Sequence, residues 1–188
     1  IAHKADLAIR DREGYAALDS AVAYGWIESA KVLLSNGASV DAHDRSGRTA
    51  LVIAIASNQV AAAELLIKAG SYVDVRGPMG ITPIFAAALK GQPKAVRLLL
   101  EHNADAKAVT AAGLTTLMAA AIYPSSPAAK RFGVGAIDVD VAGKVECAQL
   151  LIDAGVDVNA RTKSGVTALR LASGHPELIA LLKSREAR

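Results

Sequence analysis

Apolar side chains recur three and four positions apart in short bursts, such as Leu51, Ala54 and Ile55, then Val60, Ala63, Leu66 and Ile67. That spacing predicts pairs of short amphipathic helices rather than strands. The bursts themselves recur. Gly14, Gly47, Gly80 and Gly113 stand 33 residues apart, and Gly165 follows after 52. In phase with them, Leu33-Leu34, Leu66-Ile67, Leu99-Leu100 and Leu151-Ile152 precede Gly37, Gly70, Asn103 and Gly155. A fixed period of this size marks stacked supersecondary units. Asn is the non-glycine residue that best tolerates a left-handed backbone, so Asn103 predicts a positive φ at a helix C-terminus.

Each unit is expected to hold two helices. The first starts at Thr49, Thr82, Thr115 or Thr167, whose hydroxyl can accept from the free N–H groups of the first turn, and Pro83 suits the first helical position. Ala16 lacks that cap. Between units, stretches such as residues 39–47, with Asp, Ser and Gly at the turn, predict hairpin-like projections. Cutting at the period gives units 11–43, 44–76, 77–109 and 110–161 and a short final one, 162–188, with residues 1–10 as the tail of a preceding unit. Terminal units need a polar outer face, and Lys183, Arg185, Glu186 and Arg188 supply one at the carboxyl end.

The chain resembles the ankyrin repeat family, whose signature is Thr-Pro-Leu-His-x-Ala. The match rests on Thr49-Ala50-Leu51, Thr82-Pro83-Ile84, Thr115-Thr116-Leu117 and Thr167-Ala168-Leu169, followed by Ala54, Ala87, Ala120 and Ala172. The histidine of the signature is replaced by Asp19, Val52, Phe85, Met118 and Arg170. The resemblance implies an all-α fold, an α-solenoid of ankyrin repeats with projecting β-hairpin-like loops. It also implies non-catalytic binding of another protein through the hairpin tips and the exposed side of the first helices. Carried over unit by unit, the partner-binding positions are Arg12, Tyr15, Tyr24, Arg45, Arg48, Arg76, Met79, Ile81, Leu89, Lys90, Leu114, Ile122 and Tyr123. Met79, Ile81, Leu89, Leu114, Ile122 and Tyr123 are expected to form one apolar concave surface beside a strip made by Arg10, Arg12, Arg45, Arg48 and Arg76. An apolar centre with a charged rim is the anatomy of a protein interface.

The fourth unit is 19 residues longer than the others, and the excess falls at 124–142, between its two helices. Surface loops lengthen cheaply, because closure entropy grows slowly with length. Within the insertion Arg131 and Phe132, beside Gly133 and Gly135, add charge and an aromatic ring to the expected contact residues.

Composition narrows the chemistry. About a fifth of the chain is alanine and only 4% is aromatic, so the core is built from small side chains at close spacing. A net charge of +3, with Asp11, Glu13, Asp41, Asp44 and Asp74 interleaved among the arginines, is too weak a field for nucleic acid. One cysteine, Cys147, allows no internal disulfide and no cysteine-based zinc site, and its place among Val145, Ala148 and Leu151 reads as core. Histidines 3, 43, 102 and 175 fall at unrelated positions and read as surface residues. Asp138 and Asp140 alone make a poor calcium loop, and Gly133-Val134-Gly135 makes no phosphate cradle. No catalytic residue, metal or cofactor is therefore expected. No window holds 18 uninterrupted apolar residues, so no membrane partner is expected, and the chain is expected to be monomeric alone. A leader removed upstream of Ile1 would leave no trace, so the compartment stays open between cytoplasm and periplasm. The alanine-rich, cysteine-poor composition is read as bacterial, where a module that neutralises a toxin or protects an enzyme is one specific role. The alternative is a structural segment of a longer array with its binding surface elsewhere.

Overall fold

The computed structural model describes residues 5–123 and 140–186. Within them the helical bursts become ten short helices: α1 (Ala17–Ala23), α2 (Ile27–Ser35), α3 (Ala50–Ala56), α4 (Val60–Lys68), α5 (Pro83–Lys90), α6 (Pro93–Glu101), α7 (Thr116–Ala121), α8 (Val141–Asp153), α9 (Ala168–Leu171) and α10 (Pro176–Glu186). The odd-numbered helices pack one on the next in a single row, and the even-numbered helices form a second row behind them. The result is an all-α solenoid. Single antiparallel bridges, Arg10 with Ala16, His43 with Thr49 and Val109 with Thr115, close the hairpin-like loops that precede three of the inner helices.

Thr82, Thr115 and Thr167 cap as expected, their hydroxyls accepting from the N–H groups of Phe85, Met118 and Arg170 at 3.4, 3.2 and 3.3 Å. Thr49 does not. Its Oγ1 is buried and has no hydrogen-bond partner, although Thr49 still precedes α3. At α1 no hydroxyl caps the first turn, and the bond runs the other way along the chain: the Asp19 carboxylate accepts from the Ala16 N–H at 2.8 Å. Burial raises the pKa of Asp19, and that N–H together with the Arg10 guanidinium, 3.5 Å away, works against the rise. Asn103 has φ +61°, the left-handed conformation expected where other units have glycine.

The core runs through both rows. Leu51, Leu66, Leu99, Leu117 and Leu151 are fully buried, with alanines such as Ala54, Ala87 and Ala120 where inner helices approach each other. Cys147 lies in this core, as expected. Helix α8 begins at Val141, two residues inside the stretch read as inserted, because Asp140 caps it by accepting from the Gly143 N–H at 3.0 Å. Its first turn is seated hard against the end of α5. A Cβ on Gly143 would lie 3.0 Å from the carbonyl carbon of Gly91 and nearer still to its oxygen, while the Asp140 N–H donates to the Lys90 carbonyl at 3.0 Å. Among the described residues no helix is long and apolar enough to cross a membrane.

Candidate functional site

The hairpin tips repeat one hydrogen-bonding scheme. Asp11, Asp44, Gly77, Thr110 and Thr162 each donate their N–H to the carbonyl four residues on, at 2.8–3.0 Å, and accept from the N–H three residues on. Four of these residues add a side-chain clamp. Asp11, Asp44, Thr110 and Thr162 accept from the N–H of Tyr15, Arg48, Leu114 and Val166 at 2.8, 2.8, 3.1 and 3.0 Å. Gly77 has no side chain to do this. The third tip is instead a 3-10 turn over Pro78–Gly80, with Met79 at φ +59°. A left-handed backbone costs a non-glycine residue roughly 1–2 kcal/mol. Met79 is therefore held by its neighbours: its carbonyl accepts from the Ala111 N–H of the next tip at 2.9 Å, and its side chain is 67% exposed.

Below this tip lies an apolar groove. Met79, Ile81, Phe85, Leu89, Ala112, Leu114 and Ile122 line a cavity of about 60 Å3, with Thr110 at the edge. Ile81 also lines a second depression of about 230 Å3, formed with Ser46, Arg48, Val52, Gly77 and Pro78. The two hollows share that one side chain, and together they form a trough lined from three units.

Five of the six residues expected in the apolar surface come together here, but not all of them face solvent. Leu89, Leu114, Ile122 and Tyr123 are buried, which corrects their placement as exposed positions. Helix α7 explains two of these. It ends at Ala121, two residues earlier than the register of α5 implies, so Ile122 continues in extended conformation and it and Tyr123 turn into the structure. Tyr123 then stacks on His175, which is half-buried by it and is not the free surface residue expected. Leu89 and Leu114 form groove wall and floor, and Met79 and Ile81 remain accessible at the rim.

The basic strip is largely committed to holding units together. Arg45 donates to the Arg12 carbonyl at 2.8 Å and Arg76 to the Val109 carbonyl at 3.0 Å. Arg48 pairs with Asp44 at 2.7 Å and donates to the Tyr15 hydroxyl at 2.8 Å. Burial works to raise the pKa of Asp44, yet the Arg48 and Ser46 N–H groups and the guanidinium bring it below its ordinary value. Lys90 turns its ammonium to the Ala56 carbonyl. Tyr24 is exposed at the amino end of the stack, stacked on Trp26 with ring centroids 5.0 Å apart, and stands apart from the groove. Arg131 and Phe132 lie outside the described residues.

Sequence reasoning missed Lys144, which is fully buried in the first turn of α8. A signal existed in the register. Seven positions before the leucines of the second helices stand Trp26, Gln59, Gln92 and Lys144, and Gln92 is buried as well. Among the described residues no three His, Cys, Asp or Glu side chains cluster as a metal site would need.

Comparison with protein families gives three matches. Residues 1–77 match a model of ankyrin repeats in three copies, residues 79–111 a single ankyrin repeat, and residues 136–182 ankyrin repeats in many copies. A search of curated proteins gives no match.

Proposed function

Because the chain belongs to the ankyrin repeat family, whose members are in general protein–protein interaction modules, we propose that it binds a partner protein through the groove between the tips and inner helices of its middle units. The observation that carries this reading is the rim of the trough, where Met79 is exposed at 67% in a left-handed backbone that its own residue type disfavours. Strain of this kind concentrates at sites of function. A preformed groove also loses little entropy on docking, which suits an inhibitor, an immunity protein or an adaptor. Arg12 and Glu13 at the first tip and Lys163 at the last supply polar edges along the same row of tips. The chain acts as a monomer and without a cofactor.

The test is site-directed photo-crosslinking from position 79, with Met79→Asp as the loss variant, since Asp tolerates a left-handed backbone. One protein crosslinked at 79, captured by the wild type, lost with Met79→Asp and retained by Tyr72→Asp, is the expected result. Tyr72 is equally exposed but lines neither hollow. Capture that survives Met79→Asp and fails with Tyr72→Asp would overturn the assignment.

A further inference from the structure

Lys144 approaches the groove from behind. It is fully buried in the first turn of α8, at the register position where other units have Trp26, Gln59 and Gln92, and α8 packs on both α5 and α7. This position seats an outer helix on the turn of the unit before it, Gln59 against Gly25 and Lys144 against Gly91. A Cβ on Gly91 would lie 3.1 Å from the Lys144 Cγ, so that glycine leaves open the passage taken by the lysine stem. Glutamine is one atom shorter at its polar end, and the Oε1 of Gln92 is buried without a hydrogen-bond partner among the described residues.

The longer lysine finds three partners. Its Nζ donates to the carbonyls of Leu89, Ala119 and Ala120 at 2.7, 3.2 and 3.4 Å. Three acceptors take all three N–H groups of an ammonium, whereas a neutral amine has only two to give. The carbonyls belong to the last turns of α5 and α7, where backbone oxygens run out of helical partners and carry the negative end of each helix dipole. The Tyr123 ring, 5.3 Å from Nζ, turns its π-face to the same cation. Burial works to lower the pKa of this lysine, and the carbonyls and the ring oppose the loss of its proton.

The two helices held in this way are the two that build the groove. Phe85 and Leu89 line it from α5, and Leu114 and Ile122 line it from either end of α7. Leu89 takes part twice, with its side chain in the groove and its carbonyl on Lys144. On the side of α7, Ile122 follows the bonded Ala120 by two residues. We propose that Lys144 is a positioning residue for the groove: its ammonium, seated behind the C-terminal ends of α5 and α7, sets the distance between the two walls without touching what docks between them. That a partner docks there rests on the function proposed above, while the spacing of the walls does not.

The test compares Lys144→Met, which keeps an apolar stem but has no charge and no donor, with Leu66→Ala, which weakens the core at α4, whose residues line neither hollow. In methyl-labelled protein, NOEs from Leu89 to Leu114 and Ile122 read the separation of the walls. They should be lost in Lys144→Met and keep their wild-type intensity in Leu66→Ala, although both variants lower stability. Wild-type NOEs in Lys144→Met, or an equal loss in Leu66→Ala, would sink the proposal. Crosslinked capture from position 79 is scored in the same variants. Capture lost together with the NOEs supports both the brace and the binding reading, whereas NOEs lost with capture intact support the brace and remove the groove as the binding site. If Lys144→Met does not fold, the wild type decides by nitrogen NMR at mildly alkaline pH. A Lys144 Nζ resonance in the ammonium range, with hydrogens that exchange slowly with solvent, supports the brace, and one in the neutral amine range refutes it.

Discussion

Replacing Gly143 by alanine sets two effects of opposite sign against each other. Gly143 sits inside α8 with a helical backbone, so propensity alone predicts that alanine stabilises by about 1 kcal/mol. The packing predicts the reverse. The new methyl would stand 3.0 Å from the Gly91 carbonyl carbon and closer to its oxygen, where ordinary contact needs about 3.5 Å or more. Both neighbours are backbone, so α8 must withdraw from α5 by roughly 1 Å. That shift stretches the Lys144 bond to the Leu89 carbonyl, now 2.7 Å, and the Asp140 bond to the Lys90 carbonyl, now 3.0 Å, past useful length. Losing one charge-assisted and one neutral hydrogen bond costs about 2–4 kcal/mol. The net expectation is a loss of about 2 kcal/mol, which lowers the melting temperature of a chain this size by about 4–8 °C. Far-UV circular dichroism gives the melt, and fluorescence of Trp26, in the first helix pair, reports separately on the amino end. Ala142→Gly, an exposed position in the same turn, serves as the control and should cost about 1 kcal/mol through propensity alone. A Gly143→Ala protein that melts at or above the wild type would refute the close approach of α8 to α5.

Leu99→Ala and Leu66→Ala, both fully buried, should each cost about 2–5 kcal/mol in urea titration, and an unchanged midpoint would contradict the assigned core. Thr49→Val should be neutral or stabilising in a thermal melt, since its hydroxyl oxygen is buried and unbonded, whereas Thr82→Val should cost about 1 kcal/mol by removing a cap. Asp44→Asn should cost about 1 kcal/mol at neutral pH by weakening the clamp on Arg48. The folded Asp44 pKa lies below the unfolded 3.8, so that contribution is present above pH 4 and lost below it. The gap between wild type and Asp44→Asn melts should therefore narrow progressively as pH falls below 3.8.

The solenoid was legible because its signals are local and repeated: a period of 33, a left-handed Asn103 and hydroxyls at helix starts. Thr49 shows the limit of that logic, since a hydroxyl of the right type precedes its helix and still makes no cap bond. Site positions were less legible. Carrying exposure from unit to unit presumes equal helix lengths, and α7 stops short, which turns Ile122 and Tyr123 inward. The arginines lie along the tips, yet the guanidiniums of Arg45 and Arg76 are spent on carbonyls one unit away and that of Arg48 on Asp44 and the Tyr15 hydroxyl, a fact that only the tertiary geometry supplies. Lys144 was invisible to a search for motifs, because a single lysine early in an apolar helix looks like an ordinary surface charge.

The contacts between tips join residues one unit apart, as Arg45 to Arg12, Arg48 to Tyr15 and Arg76 to Val109 do. Only at the fourth unit does the chain leave this spacing, between Tyr123 and Asp140, where both ends are already fastened, one by His175 and the other by Lys90. Tyr123 reaches into the fifth unit and Asp140 into the third, so the two described ends of this longer unit brace it against both of its neighbours at once.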